Sequence, residues 1–131
     1  MTLQVALVVP DRELWSGPAS IVIAKTTEGD IGVLTGHSPV FGILAEGSLV
    51  EIRPEEGSEQ PAVRAAVSGG FLSVASDRVA ILAAQAQLAA EVDPDASQRE
   101  LDEVLARTDA GPEEPAEAKY ARARLRAAGQ A

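Results

Sequence analysis

The chain has 131 residues and a formal net charge of −9 at pH 7, with 11 Lys and Arg against 20 Asp and Glu. This length suits one medium-sized domain or a small domain with an appendage, and the acidity argues against a nucleic-acid partner, which requires clustered positive charge. The absence of cysteine excludes a disulfide framework, a thiolate nucleophile and a Cys-ligated metal site.

The first part of the chain predicts many short β-strands. Apolar residues occupy every second position of the first strand, which places them on one face: Leu3, Val5, Leu7 and Val9. Further short strands are predicted at 20–26, 31–34, 40–44, 48–53, 62–67, 71–75 and 78–83. Glycine, proline and acidic residues separate them, as in Glu28-Gly29-Asp30 and Glu46-Gly47. Short strands at this spacing predict a β-sandwich or a barrel.

The composition changes after about Ala83, where helix-forming Ala, Glu, Gln, Arg and Leu replace the alternating pattern. Asp93-Pro94 predicts a helix start, with the aspartate as N-cap and the proline in the first turn, and we expect this helix to span 94–107. The Asp-Ala-Gly-Pro segment at 109–112 ends it, and a second helix is expected at about 113–128.

These patterns divide the chain into a β-rich domain at 1–84, a linker at 85–93 and an antiparallel two-helix hairpin at 94–131. The apolar residues expected to pack the hairpin are few and mostly small: Leu101, Val104, Leu105, Ala116, Tyr120, Ala123 and Ala127. Because such faces bury little area, we expect the hairpin to dock loosely and to be able to leave the first domain.

Two glycine-punctuated segments are the most specific part of the sequence: Gly32-Val33-Leu34-Thr35-Gly36-His37-Ser38-Pro39 and Val67-Ser68-Gly69-Gly70-Phe71-Leu72. The first resembles the Gly-Val/Ile-Leu-x-Gly-His-x-Pro turn of the epsilon subunits of rotary F-type ATP synthases, and the second resembles their Val-Ser-Gly-Gly-Phe strand start. The segments 8–17, 28–32 and 79–83 resemble the opening strand, acidic turn and last strand of the same family. The resemblance implies a β-sandwich of about ten short strands followed by a two-helix hairpin.

The resemblance also implies a non-catalytic rotor subunit of the central stalk. The sandwich would bind the gamma subunit and the c-ring, and would couple proton translocation to ATP synthesis. The hairpin would extend towards the alpha and beta subunits and restrain ATP hydrolysis. No cofactor or metal is implied. The sequence has no apolar run long enough to span a bilayer, so we expect a mature, peripheral protein that the complex holds on the cytoplasmic side of the cell membrane.

Six residues are candidate subunit contacts: Glu28, Asp30, His37, Lys119, Arg122 and Arg126. By resemblance, the acidic turn at 28–30 faces polar loops of the c subunits, and the turn with His37 lies close to gamma and the c-ring. The three basic residues are spaced three and four apart on one face of the second helix, where they could meet acidic surfaces of beta. Each group also has a plain structural explanation, as turn residues, as a turn histidine bonded to the backbone, or as a solvated helix face.

Two positions depart from the family pattern. In some members the hairpin binds ATP through Ile-Asp-x-x-Arg-Ala; Val92 and Asp93 match its first positions, but Ala96 replaces the arginine that would hold phosphate. We therefore predict weak or absent ATP binding to the isolated chain, and micromolar affinity in a calorimetric titration would contradict this. Ala84 stands where the family often has an acidic residue, which leaves the contact between sandwich and hairpin open.

Two other functions are compatible with the residues. A free-standing β-sandwich adaptor would bind another protein or a carbohydrate, although aromatics form only 3% of the chain. A hydrolase using His37, the only histidine, would need an activated nucleophile, and no serine, threonine or carboxylate motif marks one. Among the large side chains, Phe71 is expected in the core, and Trp15 either in the core or at an interface.

Overall fold

The computed structural model describes residues 2–55, 57–107 and 114–129. Within these residues the N-terminal part contains ten strands: β1 (Leu3–Val9), β2 (Arg12–Ala19), β3 (Ile21–Thr26), β4 (Gly29–Leu34), β5 (Val40–Leu44), β6 (Ser48–Arg53), β7 (Val63–Val67), β8 (Gly70–Ala75), β9 (Arg78–Ala83) and β10 (Ala86–Leu88). A 3₁₀ turn (Ala89–Glu91) then leads to α1 (Pro94–Arg107) and α2 (Ala116–Ala127). The predicted architecture of strands followed by a helical pair is confirmed.

The strands form two layers that share one corner. One layer has the order β10-β7-β6-β3-β4, and the other has the order β5-β8-β9-β1-β2. The layers join where β3 pairs with β5 at Thr26 and Leu44, and the amide of Ala45 donates to the carbonyl oxygen of Lys25 beside it. β1 and β9 run parallel, whereas the other pairs are antiparallel. The result is a β-sandwich.

Aliphatic side chains fill the space between the layers. Leu3, Val5 and Leu7 of β1 are all buried, as their alternation predicts. The largest fully buried side chains come from eight strands: Leu3, Leu7, Val22, Val33, Leu44, Val50, Ile52, Val67, Leu72, Val74, Val79 and Ile81. Each contributes about 1.5–3 kcal/mol relative to an exposed position, which makes this core the main source of stability.

Three features of the sandwich differ from the expectations. β2 continues through Gly17 and Pro18 in a segment for which no strand is among those predicted above; it is an edge strand, so the missing N–H of Pro18 is tolerated. The segment assigned to the linker contains β10, which pairs with β7. The expectation that Phe71 lies in the core is wrong, because β8 directs Leu72 and Val74 inward and leaves Phe71 37% exposed on the outer face.

The start of α1 follows the predicted capping geometry. Asp93 Oδ1 accepts hydrogen bonds from the amides of Asp95 at 3.0 Å and Ala96 at 3.2 Å. These bonds satisfy two of the amides that a helix start leaves without intrahelical partners. The prediction that Asp93 is an N-cap is confirmed, whereas the predicted helix break at 109–112 lies outside the described residues.

The two helices pack against each other and against the sandwich through different faces of α2. The contact with α1 is formed by Leu101, Val104, Ala118, Ala121 and Leu125. The contact with the outer face of the first layer is formed by Tyr120, Ala123 and Ala127, packed with Ala66, Leu49 and Ala89. Leu105 and Ala116, which we expect on the apolar faces, are exposed.

Candidate subunit interfaces

The outer face of the second layer carries an exposed apolar patch formed by Phe41 and Ile43 of β5 and Phe71 of β8. Phe41 is 64% exposed and Ile43 is 57% exposed. The rings of Phe41 and Phe71 have centroids 5.1 Å apart with 31° between their planes, and Ile43 lies opposite Phe71 in the strand register. The hairpin covers the first layer, whereas this patch has no cover among the described residues. Contiguous exposed apolar surface is typical of protein interaction sites, which makes this patch a candidate subunit interface.

Small residues extend this outer face beyond the apolar patch. A shallow depression across β1, β2, β8 and β9 is lined largely by short side chains: Ala6, Ser16, Gly17, Ser73, Ala75 and Ala80. Gln4 and Arg78 add polar groups to it. This outer face therefore has large apolar side chains on β5 and β8 and a shallow depression lined by small side chains beside them. Another protein surface can pack closely against such a face.

The acidic turn between β3 and β4 is shaped by Thr26. The Thr26 hydroxyl donates to the carbonyl oxygen of Gly29 at 2.7 Å and accepts from the amide of Glu28 at 3.2 Å. Glu28 and Asp30 are both exposed, and Asp30 lies opposite Lys25 in the register. The turn therefore presents two carboxylates to solvent on a fixed backbone.

His37 lies at the other end of β4 and is held by backbone contacts. Its amide donates to the carbonyl oxygen of Leu34 at 3.0 Å, and its Nδ1 is 2.7 Å from the carbonyl oxygen of Ser38, so the tautomer with a proton on Nδ1 donates this bond. Beside it, the amide of Gly36 donates to Asp77 Oδ1 at 2.7 Å. The described residues contain no group of three or more His, Cys, Asp or Glu able to hold a metal ion.

The structure does not bring the acidic turn and His37 together. β4, which has six residues, runs from the acidic turn towards His37, and at about 3.3 Å per residue its length is roughly 20 Å. A partner that contacts both must extend over the whole length of this strand, and a small partner can contact only one.

The three candidate basic residues of α2 have different partners. Lys119 Nζ lies 3.8 Å from Glu46 Oε2, and Arg126 Nη2 donates to the carbonyl oxygen of Gly47 at 3.0 Å. Arg122 Nε donates to Glu114 Oε1 at 2.6 Å; this hydrogen bond lowers the pKa of Glu114 and raises that of Arg122. Two of the three thus contact the sandwich, and the third forms an exposed pair, typically worth less than about 1 kcal/mol.

Arg124 connects the two helices and was not predicted from the sequence. Its Nη2 donates to Glu100 Oε2 at 2.6 Å, and its guanidinium carbon lies 4.6 Å from the centre of the Tyr120 ring. The side chain is only 12% exposed, and its Nε is buried without a hydrogen-bond partner in the described part of the chain. Glu100 and Arg124 are 24 positions apart in the sequence, which exceeds any helical spacing, so no local pattern indicates the pair.

Tyr120, the only tyrosine of the chain, reports on the docked hairpin. Burial raises its pKa above the ordinary value of 10.0; the Arg124 charge opposes this shift and the Glu100 charge adds to it. Since the folded-state pKa is raised, the stabilising contribution of the neutral phenol is complete below about pH 10 and is lost as the pH rises through the folded value. We expect an absorbance titration of the phenolate to give a midpoint above that of the denatured chain. Identical midpoints would contradict the burial of Tyr120.

Comparison with known proteins identifies the family. Residues 2–89 match the family model described as the ATP synthase delta/epsilon chain, beta-sandwich domain. The chain belongs to this family. It is 47% identical over 125 residues to the ATP synthase epsilon chain of Streptomyces griseus, covering 95% of this chain and 94% of that one. It is 48% identical over 127 residues to the ATP synthase epsilon chain of Thermobifida fusca, covering 96% and 91%.

Solved structures of the same family of complexes share the fold. A chain in the cryo-EM structure of the Euglena gracilis mitochondrial ATP synthase, comprising OSCP, F1 and c-ring, superposes with a TM-score of 0.70 at 25% identity, covering 98% of this chain and 78% of that one. A chain of the Tetrahymena thermophila central stalk and c-ring superposes with a TM-score of 0.64 at 17% identity, covering 100% and 98%. The second likeness concerns the fold alone.

The family assignment applies to the hairpin as well as to the sandwich. The family model ends at residue 89, in the 3₁₀ turn, but the Streptomyces and Thermobifida relatives align over more than nine-tenths of the chain. Neither described helix is long and apolar enough to cross a membrane. These two relatives therefore align with the helical hairpin as well as with the sandwich.

Proposed function

We propose that this chain is the non-catalytic rotor subunit of an ATP synthase central stalk. Its sandwich binds the gamma subunit and the c-ring and couples proton translocation to ATP synthesis. Family membership, epsilon-chain relatives at 47–48% identity and the fold of a chain in an F1 and c-ring complex support this proposal. The main structural observation in favour of the proposal is the apolar patch on the sandwich.

The apolar patch is the surface that we assign to gamma. The chain has two phenylalanines, and both lie in this patch rather than in the core. A core made of aliphatic side chains does not need them, so their exposure costs solubility without adding to packing between the layers. Large aromatic side chains dominate the energetics of protein interfaces when a partner removes them from water. The patch is therefore the part of the sandwich that most needs a permanent partner.

The acidic turn is the surface that we assign to the c-ring. Glu28 and Asp30 are exposed carboxylates on a turn held by Thr26, which suits basic groups in polar loops. Exposed ion pairs contribute less than about 1 kcal/mol each, so they orient the contact more than they stabilise it. His37, at the opposite end of β4, contributes to the rim of the same stalk surface.

The hairpin is the part that we assign to regulation of ATP hydrolysis. When it extends from the sandwich, Lys119, Arg122 and Arg126 meet acidic surfaces of the alpha and beta subunits. The chain as a whole is peripheral on the cytoplasmic side of the cell membrane, where the complex holds it.

The test is a titration onto catalytic F1 that lacks this subunit, with ATP hydrolysis recorded throughout. The full chain is compared with a version that ends near Ala90. Binding of both, with inhibition by the full chain alone, supports both assignments. Binding without inhibition leaves a coupling subunit without a brake. Absence of binding contradicts the proposal and favours a free-standing adaptor.

A further inference from the structure

We propose that the turn between β5 and β6, formed by Glu46 and Gly47, holds the hairpin on the sandwich by occupying the same basic residues that the catalytic subunits would bind. We call Glu46 and Gly47 the docking turn. The contacts of the docking turn are observed in the structure. The competition with the catalytic subunits rests on the function proposed above for the hairpin.

The backbone of α2 lies directly on Gly47. Gly47 is buried, and a Cβ at this position would overlap the backbone carbonyl group and the Cβ of Lys119. The φ of Gly47 is 61°, a left-handed value that non-glycine residues adopt at moderate cost. The close approach of the helix, more than the backbone conformation, therefore requires glycine here.

Polar contacts connect the docking turn to two basic residues of α2. The carbonyl oxygen of Gly47 accepts from Arg126 Nη2 at 3.0 Å, and the Glu46 carboxylate lies 3.8 Å from Lys119 Nζ. Lys119 and Arg126 are seven positions apart, close to two helical turns, and so lie on the same face of α2. The docking turn contacts both.

The same contact surface is small and apolar beneath these polar groups. Ala123, fully buried, and Tyr120 pack with Ala66 and Leu49 of the sandwich. Alanine permits close approach but buries little area, so a change of one contact has a large relative effect on docking. A contact area this small is compatible with an equilibrium between docked and released hairpins.

Docking and inhibition thus compete for one set of side chains. In the docked hairpin Lys119 and Arg126 contact Glu46 and Gly47; in the released hairpin both cations become available to an acidic partner. A partner that binds these cations in the released hairpin shifts the equilibrium towards release, and stabilising the docked hairpin weakens the apparent binding of that partner. Weakening the docking turn should therefore strengthen inhibition, provided that Lys119 and Arg126 are kept.

The direct test compares Gly47→Ala with Gly57→Ala in the full chain by hydrogen exchange. Gly57 also has a positive φ, 82°, but a Cβ there would meet nothing within 4 Å, so this control introduces a similar backbone strain without the helix contact. We expect α2 amides to exchange about tenfold faster or more in Gly47→Ala, with β1 and β9 amides unchanged. Equal α2 protection in the two variants would overturn the proposal.

A second variant covers the case in which Gly47→Ala disturbs the sandwich itself. Arg126→Ala removes the hydrogen bond to Gly47 from the helix side and leaves every sandwich residue intact. We expect about threefold faster or more exchange of α2 amides with unchanged exchange in β1 and β9. Unchanged exchange of α2 in this variant would overturn the role of the docking turn.

The functional arm uses an ATP synthase reconstituted with each variant. Gly47→Ala should lower residual ATP hydrolysis about fivefold, and adding Lys119→Ala and Arg126→Ala to it should remove this gain. Faster exchange of the α2 amides without any change in ATP hydrolysis would contradict the proposed inhibition by the released hairpin. It would still support the role of the docking turn in holding the hairpin on the sandwich. Unchanged exchange of the α2 amides in Gly47→Ala would overturn the proposal that the docking turn holds the hairpin, whatever the rate of ATP hydrolysis.

Discussion

Gly70→Ala is expected to destabilise the sandwich by about 3 kcal/mol or more. Gly70 is the first residue of β8 and is paired with Leu44 of β5 and Ala83 of β9. A Cβ at this position would overlap the carbonyl oxygen of Leu82 and lie 2.8 Å from the Cα of Ala83. These are backbone atoms of a strand paired on both sides, so they cannot shift without breaking strand pairing. Urea unfolding followed by circular dichroism measures the loss.

The neighbouring glycine supplies a matched control. Gly69 has a φ of 139° against 145° for Gly70, but the nearest atom to its added Cβ is Glu46 Cγ at 3.7 Å, an ordinary contact. Gly69→Ala therefore carries the cost of the unfavourable φ, about 1–3 kcal/mol, without the overlap. A difference of about 2 kcal/mol between the two variants is expected. Equal losses would show that backbone conformation, and not strand approach, requires glycine at 70.

The Gly-Gly segment shows what sequence reasoning reaches and where it stops. The sequence predicts that Gly69 and Gly70 are structural, because glycine between β-type runs permits conformations closed to other residues. It does not show that a Cβ at Gly70 would overlap the backbone of β9 while one at Gly69 would make only an ordinary contact. That difference depends on strand pairing between residues far apart in the chain, which local patterns do not contain.

Local signals explain why α1 and most strands could be predicted. The N-cap at Asp93 and the proline after it define the start of α1, and the predicted span 94–107 agrees with the observed helix. The alternation in β1 likewise predicts which side chains are buried. β2 was not predicted as a whole strand, because Gly17 and Pro18 carry turn signals that an edge strand tolerates.

The exposed apolar patch and the contacts between the two helices were harder to predict, for physical reasons. The sequence of β5, Val-Phe-Gly-Ile-Leu, is apolar on both faces, so its period does not show which face is exposed. Phe71 follows two glycines and looks like a core residue until β8 is paired and its neighbours are seen to face inward. The Arg124 contacts need the register of α1 against α2, which the antiparallel hairpin supplies and the spacing does not.

Phe41→Thr is expected to weaken binding to the gamma-containing stalk about 30-fold without a loss of stability. The Phe41 ring is 64% exposed in the free chain, so its removal costs little core packing, and threonine suits a strand position. A partner that covers the apolar patch would bury this ring against Phe71, and truncation of such an aromatic anchor typically costs about 2 kcal/mol or more, which corresponds to about 30-fold in affinity. Calorimetric titration of the purified complex lacking this subunit measures the change.

Leu105→Gln is the control for a general effect of removing exposed apolar surface. Leu105 is 40% exposed, close to the 37% of Phe71, but it lies on α1 rather than on the second layer of the sandwich. Its substitution should leave the affinity for the stalk within about twofold of the original value, since exposed positions away from an interface contribute little. If Phe41→Thr and Leu105→Gln weakened binding equally, the apolar patch would not be the gamma surface. Loss confined to Phe41→Thr, with unchanged unfolding, would assign the outer face of the second layer to gamma and leave the first layer to the hairpin.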